Sequence, residues 1–396
     1  MIARRKAQIS CADWLLALGS LFRKGSDPAS DIAAWEQTFA GFIGTKYAVA
    51  TASGRQGLEC ILRSLKLNPG DEVLLPAYTL KDLVWLIKKL GLIPVAVDIE
   101  PDSFNLSVIG LKNTISAKTR VIIATHIFGL PCKIDEILAL AQKHSLFVIE
   151  DCAHSAGAAY QGKKTGSFGI ASFFSFESMK PVNTYGGGMV LTDDVVIAGK
   201  IREAAAGYKK TNALPLGKMI AALTESILFS TLAAWPILYL LSSRSWNTKI
   251  TQLYRLVQRP PKTNTALSGF QARIGLVKLQ DLGERIGKRQ AAADFLKTLL
   301  DGRIKPQAVS LEASPNYYFF VVLLPQNAWQ VRRSLLSRGV DAGVAGEVTD
   351  NCGEALGADC PVANEVFNRA IQLPLYEGLS ERKIRRIARF LNESLA

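Results

Sequence analysis

Short runs rich in Val, Ile and Leu alternate with stretches of helical periodicity through the first half of the chain. The pattern predicts strands over 47–52, 72–75, 93–97, 119–124, 146–150, 171–176 and 189–191. It predicts helices over 58–65, 80–90 and 134–144 between them. Alternation of this length implies a mostly parallel sheet sandwiched by helices. The unbroken apolar strand cores suit strands covered on both faces. Ligands of such sheets sit at the carboxyl ends of the strands, where Ser53, Asp98, His126 and Asp151 recur. The first strand runs into Ser53-Gly54-Arg55-Gln56-Gly57 and then a helix, a shape that offers backbone N–H groups to an anion.

The second half changes character. Met219–Leu241 holds 23 residues with one charge, Glu225. A helical region follows over 268–300, and from about 303 the pattern is that of a small α+β unit. Its expected elements are a strand at 317–324, a helix at 328–338, a strand at 370–373 and a closing helix at 381–391. The expected organisation is an N-terminal segment (1–30), a large domain (31–260) that includes an apolar, basic-flanked insertion (205–262), and a helical connection with a small C-terminal domain (263–396).

Composition narrows the picture. The chain has 396 residues, 48% of them hydrophobic, enough for a large core, and 20% charged. A formal charge of +13 fits phosphorylated substrates or an anionic surface. Neither zinc-ligand spacing nor an RNP-like aromatic motif is present, so nucleic acid and metal are not expected. Six irregularly spaced cysteines and an N-terminus without an apolar core point to reduced thiols and a cytoplasmic location.

Schiff-base chemistry on an aldehyde cofactor needs a lysine amine, a carboxylate that keeps a pyridine nitrogen protonated, and a phosphate anchor. Several segments supply such residues in a telling order. They are Ser53-Gly54-Arg55-Gln56-Gly57-Leu58, then Gly70-Asp71-Glu72-Val73 through Pro76-Ala77-Tyr78-Thr79, then His126-Ile127-Phe128-Gly129. Glu150-Asp151-Cys152-Ala153-His154 and Ser175-Phe176-Glu177-Ser178-Met179-Lys180 follow, with Gly187-Gly188 seven residues later. This order resembles the sugar aminotransferases of the DegT/StrS type, within the fold-type I pyridoxal-phosphate enzymes, over residues 33–205 and 263–395.

The resemblance implies an aspartate-aminotransferase-like fold around a mixed, seven-stranded type of sheet. It implies pyridoxal 5′-phosphate as cofactor, bonded to Lys180, with Asp151 at the pyridinium nitrogen and His154 near the ring. Ser53, Gly54, Arg55 and Ser175 would hold the phosphate. Asn264 matches a residue that the family supplies across a dimer interface, so a homodimer with a shared active site is expected. The implied substrates are a glutamate-like amino donor and a nucleotide-linked keto-sugar.

Four positions depart from the family pattern: Arg55 for Thr, Leu80 for a ring-stacking aromatic that Tyr78 could replace, Tyr185-Gly186 for Gly-Glu, and Ala266 for Arg. The insertion is a further difference. It carries eight basic residues against Glu225. Peripheral membrane contact through 217–243 is therefore expected, against a buried helical hairpin as the alternative. Two other readings stand beside the sugar aminotransferase. One is a pyridoxal-phosphate enzyme for a different carbonyl compound, lipid-linked or non-sugar. The other is a membrane-associated relative without catalysis.

Overall fold

The computed structural model describes residues 1–6, 8–22, 27–207, 213–230 and 267–395, with the single positions 243, 246 and 249. Its centre is a seven-stranded sheet. The strands are β1 (Tyr47–Thr51), β2 (Glu72–Pro76), β3 (Ile93–Val97), β4 (Thr119–Thr125), β5 (Phe147–Asp151), β6 (Ala171–Ser175) and β7 (Gly188–Thr192). Their spatial order is β1-β7-β6-β5-β4-β2-β3. Only β7 runs against the others, pairing antiparallel with β1 and β6. The reason is local: the link from β6 to β7 contains no helix, and a parallel return needs a longer crossover.

Both faces of the sheet are covered. The helices Gly54–Ser64, Lys81–Lys89 and Val195–Ala206 bury Leu58, Ile61, Leu83, Ile87 and Ile201 against Val73, Val121 and Ile149. On the opposite face, Ile134, Ile137 and Ala141 of the helix Ile134–Lys143 meet Leu74, Ile122 and Val148. Helix Pro28–Ile43 closes the β1 side through Trp35, Phe39 and Ile43, packed on Phe174, Met189 and Leu191.

A four-stranded antiparallel sheet follows, with Phe320–Leu323 and Ala370–Leu373 at its centre. The closing helix Glu381–Glu393 buries Ile384, Ile387, Ala388 and Leu391, spaced as one helical face, against this sheet. The start of the chain belongs to the same body. Ile2 is buried and bridges to Val340, and Arg4 pairs with Asp341 and Glu347.

Several expectations change in detail. The N-terminal segment contains a helix, Cys11–Phe22. The helical region 268–300 is two helices, Gly269–Gln280 and Leu282–Lys297, meeting at Asp281. The strand expected from 317 begins at Phe320, because Tyr317 adopts a left-handed backbone (φ 46°) that ends pairing. The apolar stretch begins as the helix Leu216–Ser230, and residues 231–242 lie outside the described residues. Among the described residues no helix is long and apolar enough to cross a membrane. Asp98, expected among the ligand-facing strand ends, accepts the Val362 and Ala363 N–H groups at 3.0 and 2.9 Å. It therefore caps the helix Pro361–Arg369 and ties the two sheets together.

Trp35 is fully buried, with Phe39 and Phe176 ring centroids at 5.0 and 5.5 Å. A Cβ on Gly275 would fall 2.8 Å from its ring, so the helix Gly269–Gln280 rests directly on the indole. Trp35→Ala is expected to cost about 3–5 kcal/mol in urea unfolding. A loss under about 1 kcal/mol would contradict this packing role.

Candidate active site

The turn after β1 is built by close backbone approach. Ser53 caps the helix Gly54–Ser64, its Oγ accepting the Gln56 N–H at 3.2 Å. A Cβ on Gly54 would lie 3.1 Å from the Phe174 carbonyl oxygen and 3.2 Å from Ser175 Cβ. A Cβ on Gly188 would strike the Ser53 carbonyl carbon at 2.5 Å and Gly54 N at 2.6 Å. The helix N-terminus, Ser175 and the start of β7 therefore meet only because two glycines carry no side chain. Backbone N–H groups at such an end form a seat for a phosphate.

Two adjacent carboxylates end β5 and do different work. Glu150 is fully buried and accepts the N–H groups of Gly166, Phe168 and Gly169 at 2.7, 2.7 and 2.8 Å. It also meets His126 Nε2 at 3.0 Å. His126 Nδ1 accepts the Cys132 N–H at 3.1 Å, which leaves Nε2 as the donor to Glu150. His126 is thus part of the scaffold, unlike its expected place among the ligand-facing polar residues.

Asp151 is also buried, and its Oδ1 accepts the Ala153 N–H at 3.0 Å. Burial pushes its carboxyl above the usual range, opposed by the Ala153 N–H and by the positive charge of Lys180. Desolvation lowers Lys180 to about 8, while Asp151 and Glu177 raise it and Arg5 and Arg55 lower it. The two groups at 151 and 180 therefore feel one another in one desolvated place. Lys180 lies in the turn after β6, and its Nζ is 5.0 Å from the centroid of the Tyr318 ring.

His154 stacks on Tyr318 with centroids 4.5 Å apart and planes 27° apart. Its Nδ1 accepts the Phe128 N–H at 3.4 Å. Burial, reinforced by the charge of Lys180, holds its pKa well below the ordinary histidine value, so the ring is neutral at pH 7. Tyr78 is buried with its ring edge-on to Phe128, centroids 6.0 Å apart, and burial pushes its hydroxyl up to about 12.

The structure thus brings Asp151, His154 and Lys180 together, with Tyr78 linked to His154 through Phe128, and Ser53, Gly54 and Ser175 to one turn. Arg55 adjoins that turn, but its guanidinium is ion-paired with Asp82, so the expected charged fork on a phosphate is already engaged. Asn264 and Ala266 lie outside the described residues. Sequence reasoning missed Tyr318, which joins Lys180 to His154 from the far part of the chain. The aromatic run Tyr317-Tyr318-Phe319 was its available signal, read as the start of a strand.

These residues fit a pyridoxal phosphate. The glycine-lined helix end suits its phosphate, a buried carboxylate suits its ring nitrogen, and an amine of lowered pKa suits its aldehyde.

The family profile described as the DegT/DnrJ/EryC1/StrS aminotransferase family matches residues 21–392. The chain is 29% identical over 369 residues to UDP-N-acetyl-3-dehydro-α-D-glucosamine 3-aminotransferase of Acidithiobacillus ferrooxidans, with 91% of this chain and 88% of that one covered. It is 28% identical over 374 residues to GDP-perosamine synthase of Caulobacter vibrioides, with 92% and 90% covered. Its fold is similar to that of Helicobacter pylori PseC, an aminotransferase involved in the biosynthesis of pseudoaminic acid. There the TM-score is 0.78 at 20% identity, and 99% of this chain and 98% of that one are covered. With nearly the whole chain matched and the lysine, carboxylate and glycine turn assembled in order, the protein belongs to the DegT/DnrJ/EryC1/StrS aminotransferases, a family that works with pyridoxal 5′-phosphate.

Proposed function

We propose that this aminotransferase moves the amino group of a glutamate-like donor to a nucleotide-linked keto-sugar in the making of cell-surface polysaccharide or glycoconjugate. The observation that carries the reading is a desolvated lysine amine, Lys180, lowered to about 8 and lying over the Tyr318 ring, whose charge is felt by the buried Asp151 carboxylate. The names of the two relatives above support the substrate class.

Bound pyridoxal phosphate supplies an aldehyde for the substrate amine and a ring that draws off electron density. The protein's own residues do the rest. Asp151 holds the proton on the ring nitrogen, since a buried carboxylate is stabilised by a cation beside it. Lys180 Nζ would move a proton between the substrate carbon and the cofactor carbon, a role that needs an amine titrating near the working pH. Neutral His154 offers a hydrogen bond without adding charge. Ser53, Gly54 and Ser175 seat the phosphate, and Arg55 contributes there through its backbone N–H.

The same reading includes a cytoplasmic homodimer in which Asn264 reaches the partner's site. It also includes peripheral contact with an anionic membrane through 217–243. The helix Leu216–Ser230 supports that contact: Leu216, Ile220, Leu223 and Ile227 are exposed and fall on one face.

Purified protein is expected to show the visible band of lysine-bound cofactor, and Lys180→Ala to lose it. A full band in the variant would place the cofactor on another amine. Protein freed of cofactor should show half-maximal labelling of Lys180 by an amine-reactive reagent near pH 8, with the positive form below that pH. The Asp151 charge raises this pKa, so Asp151→Asn should move the midpoint lower still. An unmoved midpoint would separate the two residues. Flotation with anionic liposomes should carry the intact protein upward, and failure to float would remove the membrane contact.

A further inference from the structure

A small cavity opens beside Lys180, lined by Arg5, Lys6, Lys180, Arg289, Tyr318 and Glu377 among others. It has about 30 Å³ of room, where one buried water takes about 10–15 Å³. Arg5, Lys6, Lys180 and Arg289 line it beside one carboxylate, Glu377, and although Arg5 also pairs with Glu225, positive charge prevails and favours an anion.

Arg289 is its most informative member. It is only 6% exposed. Its Nη2 is held by Glu377 Oε1 at 2.5 Å, and Glu377 is itself steadied by Gln8 Nε2 at 2.9 Å. Its Nη1 is buried and has no hydrogen-bond partner. An unpartnered buried guanidinium N–H costs free energy, and facing a cavity it is free to be completed by water or a bound anion. Arg285, one turn earlier, differs: its guanidinium is taken up by Asp281, Pro181 O, Lys278 O and Gln8. Tyr318 links the cavity to the chemistry, because it lies near Arg289 electrostatically and under Lys180 Nζ.

The geometry points to Arg289 as the residue that binds the α-carboxylate of the amino donor. This inference rests on the aminotransferase reading above. The donor's amine must reach the position of Lys180 Nζ, and its carboxylate sits one carbon away. The cavity has room for a carboxylate beside Lys180. A planar fork fixed on one side by Glu377 presents its other nitrogen to a carboxylate oxygen, which a lysine in its place would not reproduce. Arg289 is then a specificity residue for the donor half of the reaction, and Glu377 a positioning residue.

The test uses holoenzyme without sugar acceptor. L-glutamate is titrated in while the cofactor's visible band is followed. Arg289→Lys and Arg289→Gln should raise the half-saturating glutamate concentration by about tenfold or more. The band before glutamate and the melting temperature should stay near those of the parent protein. Glu377→Gln, which leaves the guanidinium in place, should raise it less, and it serves as the test if the Arg289 variants fold poorly. Calorimetry with maleate, a dicarboxylate that cannot react, should show binding to the parent protein and a matching loss in Arg289→Gln. The preference for glutamate over a carboxylate-free amine should collapse in the same variant. Unchanged glutamate saturation, or a defect confined to the sugar acceptor, would overturn the assignment. A parent protein whose band responds to no amino acid would overturn the aminotransferase reading with it.

Discussion

The structure depends on keeping an amine and a carboxylate together, largely out of water, at the carboxyl edge of a sheet. Neither Lys180 nor Asp151 favours its charged form when desolvated, and each partly restores the other's charge. Such a pair repays its desolvation only when its geometry is closely held. The rigidity comes from elements that are distant in sequence. β5 carries Asp151, the turn after β6 carries Lys180, and the tyrosine at 318 arrives from the segment leading into the second sheet to lie under the lysine. Asp98 fastens the two sheets by capping a helix of the far part with a carboxylate from the near part.

Much of this is legible in the chain. Strand and helix periodicities locate the seven central strands to within a few residues, because the sheet is covered on both faces and its strands are apolar throughout. The glycines at 54 and 188 announce close backbone approach, and in the fold each faces another segment's main chain. The direction of β7 is less visible. It is set by what the preceding link lacks, and a hydrophobicity pattern says little about strand direction.

The remainder is invisible for a different reason. Tyr318, Arg289 and Arg5 bear on Lys180 through contacts between remote stretches, and no local pattern encodes such contacts. Arg55 shows the converse. Its place in the phosphate turn is plain from sequence, but the direction of its side chain is decided by Asp82, a helix away. His126 and Asp98 look like ligand-facing groups because they end parallel strands. Each is instead consumed by backbone hydrogen bonding or by a neighbouring carboxylate. A polar residue at a strand end marks either chemistry or architecture, and only its partners tell which.

Glu150 and Asp151 stand next to each other, and a strand sends neighbouring side chains to opposite faces. One carboxylate is spent on the amides of the 166–169 loop, and the other faces the lysine. The two carboxylates are coupled only indirectly, through His126, which bonds Glu150 and whose charge reaches Asp151. The loop's anchor rests on Glu150 and three amides rather than on Asp151, so the hold on the 166–169 loop does not require a carboxylate at 151.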